Sequence, residues 1–151
     1  MIPVPPKPIV IDTNVCLDLF VFRDPRFLPL LAALESGELV AVTRADCRDE
    51  YLAVLKYPHL PLDEGSRAEA AQRFDALLRV VAPDAKHVRL PVCTDRDDQK
   101  FLEIARDAEA EVLVTKDKAL LKLGRRTARE GLFSIMQPEA WLKARPASTV
   151  E

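Results

Sequence analysis

Four acids in this 151-residue chain stand where a fold could bring them together: Asp12, Glu50, Asp98 and Asp117. Asp12 closes the apolar run "PIVI" and opens "DTNV"; Asp117 follows "EVLVTK"; Asp98 heads an apolar-periodic stretch; Glu50 falls one or two turns after "LVAVT". Singly, each has an ordinary role. Asp12 and Asp98 make good helix N-caps, Asp117 suits a turn in "TKDKAL", and Glu50 suits a helix surface. Gathered at one edge of a sheet they would repel one another, and some would be driven neutral unless cations lay among them. Hard divalent cations, Mg²⁺ or Mn²⁺, suit such an all-oxygen site. One or two of them can bind a phosphodiester, lower the pKa of a water and stabilise the leaving oxygen. That chemistry is hydrolytic and needs no covalent enzyme intermediate.

Bringing the acids together requires particular elements. Residues 8–11 form a β-branched run that reads as a buried strand. Phe27, Leu30, Leu31 and Leu34 then recur at i, i+3, i+4 and i+7, the stripe of a helix on a core, and Gly37 ends it. "LVAVT" is a second strand, followed by a helix over about 46–57 with Cys47, Tyr51, Val54 and Leu55 on one face and Pro58 as its stop. A further helix groups Ala71, Phe74, Leu77, Leu78 and Val81, and "KHVRL" is expected to be the third strand. A helix from near Asp98 turns Phe101, Ile104, Ala105 and Ala108 inward; "EVLVT" and "FSIM" are strands; Pro138 opens a closing helix through Trp141 and Leu142.

Strands separated by helices imply a mostly parallel sheet covered on both faces, an α/β fold whose sites collect at the C-terminal strand ends. Asp12 and Asp117 then emerge at the same edge. The length and the 48% apolar content suit a single domain over residues 1–151, with an ordered core of about 8–144 and a frayed tail "ARPASTVE".

Other chemistries lack their residues. Four glycines and no GxGxxG argue against nucleotide-cradling loops; CxxC, HExxH and a nucleophile elbow are missing too. An Asp-nucleophile phosphohydrolase wants a second acid two residues after the first, where this chain has Asn14. His59 and His87 stand alone, and Cys16, Cys47 and Cys93 have apolar neighbours and no metal spacing, which suits reduced core residues. The opening "MIPVPPKPIVI" lacks a basic region followed by a long apolar stretch, and no apolar run reaches membrane length, so a soluble cytoplasmic protein is expected.

Taken in order, the segments resemble the PIN-domain family of metal-dependent ribonucleases, in particular the toxin components of bacterial toxin–antitoxin pairs. "IDTNV" is similar to the family's opening signature, "DEYLAVLKYP" to its second element, "DRDDQKFLEIA" to its third and "LVTKDKALL" to its fourth, from about residue 9 to 123. The resemblance implies a Rossmann-like three-layer α/β/α sandwich and a Mg²⁺ or Mn²⁺ endoribonuclease. It also implies a homodimer and a small antitoxin that covers the active site. By position it maps the metal-binding acids to Asp12, Glu50, Asp98 and Asp117, with Thr13, Asn14 and Thr115 in support. Asp95 and Asp97 crowd the third element and are held in reserve, and Lys116 replaces the small residue expected before Asp117.

A net charge of −2 gives no general basic field, so RNA would need a local patch. Lys116, Lys118, Lys122, Arg125, Arg126 and Arg129 offer one beside the fourth element, with Arg23, Arg26, Arg44 and Arg48 flanking the first two; a solvated helix face accounts for the same charges equally well. Two other functions fit the acids: a non-catalytic interaction module with the same fold, and a metal-dependent nuclease acting on DNA.

Overall fold

The computed structural model of the chain describes residues 7–82 and 88–144. Five parallel strands, β1 (Ile9–Ile11), β2 (Ala41–Thr43), β3 (Leu78–Val80), β4 (Val112–Val114) and β5 (Ser134–Met136), lie in the order β3-β2-β1-β4-β5. The chain first winds outward from β1 through β2 to β3, then crosses back to lay β4 on the other side of β1. The sheet therefore reverses its winding between β1 and β4, the place where open parallel sheets form their crevice.

Successive residues of β1 feed opposite layers. Ile9 and Ile11, with Val112 and Val114 of β4, face a core shared with α1 (Thr13–Phe20), α2 (Leu28–Ser36), α3 (Ala45–Val54), α4 (Glu64–Leu77) and a closing helix over Pro138–Ala144. Val10, Val42, Leu113 and Ile135 face the other core, against α5 (Gln99–Asp107) and the short α6 (Lys118–Leu121). This is the three-layer α/β/α sandwich expected, since strands buried on both faces must be apolar at every position. A further short helix, α7 (Gly124–Arg129), leads to β5, and the closing helix is α8. Gly37 ends α2 with φ +82°, a left-handed conformation that costs a side-chain-bearing residue. An aromatic cluster ties α1, α3 and α4: Tyr51 stacks on Phe74 at 4.4 Å, Phe20 meets both edge-on, and the Tyr51 hydroxyl donates to the Ala70 carbonyl at 3.0 Å.

The third strand lies elsewhere than expected. Helix α4 stops at Leu77 because Leu78 takes extended angles (φ −112°, ψ 122°), and "LRV" pairs with β2 as the sheet edge. Leu78 is buried while Arg79 and Val80 are exposed, so the helical stripe expected to run on through Leu78 to Val81 ends at Leu77, and Leu78 is instead the first residue of a strand. Of "KHVRL", Val88–Leu90 form no strand, and Lys86 and His87 lie outside the described residues, as does the tail from residue 145. Among the described residues no helix is long and apolar enough to cross a membrane.

Candidate active site

Strand register places the first acid. Ile11 is paired with Val114, so the residues that follow, Asp12 and Thr115, meet where β1 and β4 end, and the Asp12 N–H donates to the Val114 carbonyl at 3.2 Å. Asp12 does cap α1, accepting from the Val15 N–H at 3.0 Å, while its other oxygen accepts from the Thr115 hydroxyl. It is 4% exposed. Burial pushes its carboxyl up to about 6, against the pull of those two hydrogen bonds. Thr115 in turn accepts from the Asp117 N–H at 3.0 Å, and Asp117 caps α6 by accepting from the Ala119 N–H at 3.0 Å. One buried hydroxyl thus aligns the ends of both central strands.

The third element separates its acids by role. Asp95 accepts from the Asp97 N–H at 3.0 Å and so caps a 3-10 turn over Arg96–Asp98. Asp98 stands at the N-cap of α5 yet makes no capping hydrogen bond; its carboxyl meets Asp117 instead. Burial and that neighbouring acid push Asp98 up to about 8, while Asp117, accepting the shared proton, is held below the ordinary carboxylate range. Oxygens of Asp95, Asp98 and Asp117 lie within 4.8 Å of one another. Asp97 lines the same cleft but lies outside that trio.

Glu50, in the second turn of α3, accepts from the Thr13 hydroxyl and, at 2.7 Å, from the Lys100 ammonium. Together with Asp12, Thr13, Asn14 and Asp97, Glu50 and the trio line one cleft of about 290 Å³, whose apolar wall is Val54, Tyr57 and Phe101. The donor set is all oxygen and anionic, and burial together with the Asp117 carboxyl raises Asp98 in the absence of a cation. A hard divalent cation fits such a set.

A family model described as the PIN domain matches residues 8–119. The chain belongs to the PIN-domain family. The matched segment contains all four acids and ends inside α6, so the PIN domain's central crevice and its acids are covered together. PIN domains are nucleases that use divalent metals, which agrees with the donor set found here. No curated protein and no solved structure matches the chain in the same comparisons.

The basic residues divide into two groups. Arg23 pairs with Glu69, Arg26 with Asp24 and Glu139, Arg44 with Asp46 and Glu103, and Arg48 with Asp75, so all four tie surface elements together. Lys116 lies 2.6 Å from Oδ2 of the largely buried Asp18, so its ammonium is engaged by α1. Lys118, Lys122, Arg125 and Arg129 are exposed; Arg126, also exposed, lies 3.4 Å from Glu130. Two residues escaped the sequence reading: Lys100, which pairs with Glu50, and Tyr57, which lines the cleft. Lys100 carries no local signal, whereas Tyr57 falls at i+7 from Glu50 with Val54 at i+4, a spacing that marks one helix face.

Proposed function

We propose that this PIN domain is an endoribonuclease that hydrolyses RNA phosphodiester bonds with Mg²⁺ or Mn²⁺. The observation that carries the reading is the trio Asp95, Asp98 and Asp117 beside buried Asp12, at the reversal point of the sheet. A divalent cation held there supplies Lewis-acid activation of water and neutralises charge on the phosphodiester. Asp95, Asp98 and Asp117 would hold such a cation, and Asp12, locked by Val15 and Thr115, keeps the strand ends in register beneath them. Glu50, fixed by Thr13 and Lys100, adds a carboxylate to the wall, and Asn14 offers an exposed amide at the mouth. The exposed cations after Asp117, namely Lys118, Lys122, Arg125 and Arg126, track the phosphates of the strand, since an acidic cleft cannot by itself hold a polyanion.

The toxin role, a protein antitoxin seated over the cleft, a homodimeric assembly and a cytoplasmic location belong to the same proposal and rest on the resemblance of the four segments. The decisive experiment incubates matched RNA and DNA oligonucleotides with the protein and Mn²⁺, alongside Asp117→Asn. Cleavage of RNA that disappears in the variant, with unchanged circular dichroism, is the expected result. Cleavage of DNA alone would move the substrate class, and no cleavage by a folded, Mn²⁺-binding protein would leave only the interaction module.

A further inference from the structure

The lip of the acidic cleft carries an aromatic group that the carboxylate chemistry does not use. The face of α3 that brings Glu50 into the cleft continues through Val54 to Tyr57, just beyond the helix end. The backbone around this ring is fixed: the Tyr57 N–H donates to the Val54 carbonyl at 3.0 Å, and the Tyr57 carbonyl accepts from Leu60 at 3.2 Å. Its side chain is not buried. Tyr57 is 49% exposed, whereas Phe20, Tyr51, Phe74 and Phe101 are each at most 3% exposed. Beside it stands the ring of His59, with centroids 5.8 Å apart and planes tilted by 44°, so the two rings make a short, partly solvated platform on either side of Pro58.

A phosphodiester brought to the acids carries a base on each side, and such a base gains by lying on an aromatic face at the cleft mouth. A base inside a duplex cannot do so, because its faces are already covered by its stacked neighbours. We infer that Tyr57, supported by His59, stacks on an unpaired base next to the scissile phosphate. This inference rests on the ribonuclease reading for its substrate and on the exposed ring pair for its geometry.

The test uses an RNA hexamer with 2-aminopurine at each position in turn, mixed with the full chain and Mn²⁺ in a stopped-flow instrument. Binding is expected to quench one position before product forms, and Tyr57→Ala to remove the quench. In steady state, Tyr57→Ala should raise KM about tenfold with kcat changed less than threefold, and Tyr57→Phe should behave as the parent, because the ring and not the hydroxyl does the stacking. The same sequence annealed to its complement should be cut at least tenfold more slowly. A Tyr57→Ala chain with parental KM and parental quench, or equal cutting of duplex and single strand, overturns the inference. A quench that depends on Tyr57 without any cleavage supports the platform and removes the nuclease reading. Cleavage of single strands with no such quench does the reverse.

Discussion

Replacing Asp12 by Asn should make the metal-free protein more stable at neutral pH. Burial raises this carboxyl from 3.8 to about 6, so ionising it in the folded chain costs about 3 kcal/mol relative to the unfolded chain. Asn carries no charge, but it has a single acceptor oxygen where Asp12 serves both the Val15 N–H and the Thr115 hydroxyl. One hydrogen bond is therefore lost, at about 1 kcal/mol, which leaves a net gain of about 2 kcal/mol. For a chain of this size that corresponds to roughly 4–8 °C in thermal midpoint. The sign follows from the direction of the shift. With the folded pKa raised, the group's cost is absent below 3.8, where it is neutral in both states, and complete once pH has risen through about 6. At about pH 4.5 the cost is about 1 kcal/mol and matches the lost hydrogen bond, so the two proteins should melt together. Thermal unfolding in EDTA at pH 7.5 and pH 4.5 tests both halves. A variant that melts below the parent at pH 7.5, or a gap that is the same at both pH values, would refute the reasoning.

Three further outcomes follow from the same geometry. The metal-free protein should lose thermal stability steadily from pH 5 to pH 9, as Asp12 and then Asp98, raised to about 8, become ionised in the fold; saturating Mn²⁺ should flatten that slope in differential scanning calorimetry. Lys100→Met, which removes a competing cation from Glu50, should tighten Mn²⁺ binding about threefold by titration calorimetry, and weaker binding would mean that Lys100 organises the site instead of opposing the metal. Phe74→Ala should cost about 3–5 kcal/mol in urea unfolding, because it empties a stacked, 2% exposed core position, while Tyr51→Phe should cost only about 1 kcal/mol by removing the hydroxyl's hydrogen bond to the Ala70 carbonyl.

The layers were legible because β-branched runs and 3.6-residue periods alternate along the chain, and four of the five strands lie where those runs occur. The third did not, since Leu78 fits both a helical stripe after Phe74 and Leu77 and the buried end of an edge strand; only pairing with β2 decides between them. Asp12 and Asp117 could be placed from sequence because strand ends fix their positions. Asp98 was placed ahead of Asp95 and Asp97, but that Asp95 joins it was not legible, because a 3-10 turn, and not a simple helix start, determines which carboxyls face Asp117. Lys100 was illegible for a different reason: its partner Glu50 is 50 residues away, and nothing local distinguishes it from a solvated lysine. Tyr57 had a signal, but the stronger stripe of Cys47, Tyr51 and Leu55 on the same helix pointed to the core.

The hydroxyl of Thr115 on the carboxylate of Asp12 joins residues 103 positions apart. Strands so distant must wait for most of the polypeptide to be synthesised before they can pair, and the chain emerges from its N-terminus. A nascent chain that has released only α1 to α4 carries Asp12 and Glu50 without the acids that complete the cleft. The order of synthesis itself thus sets when the acidic cleft is complete: Asp12 and Glu50 stand without Asp117 until nearly the last strand has left the ribosome.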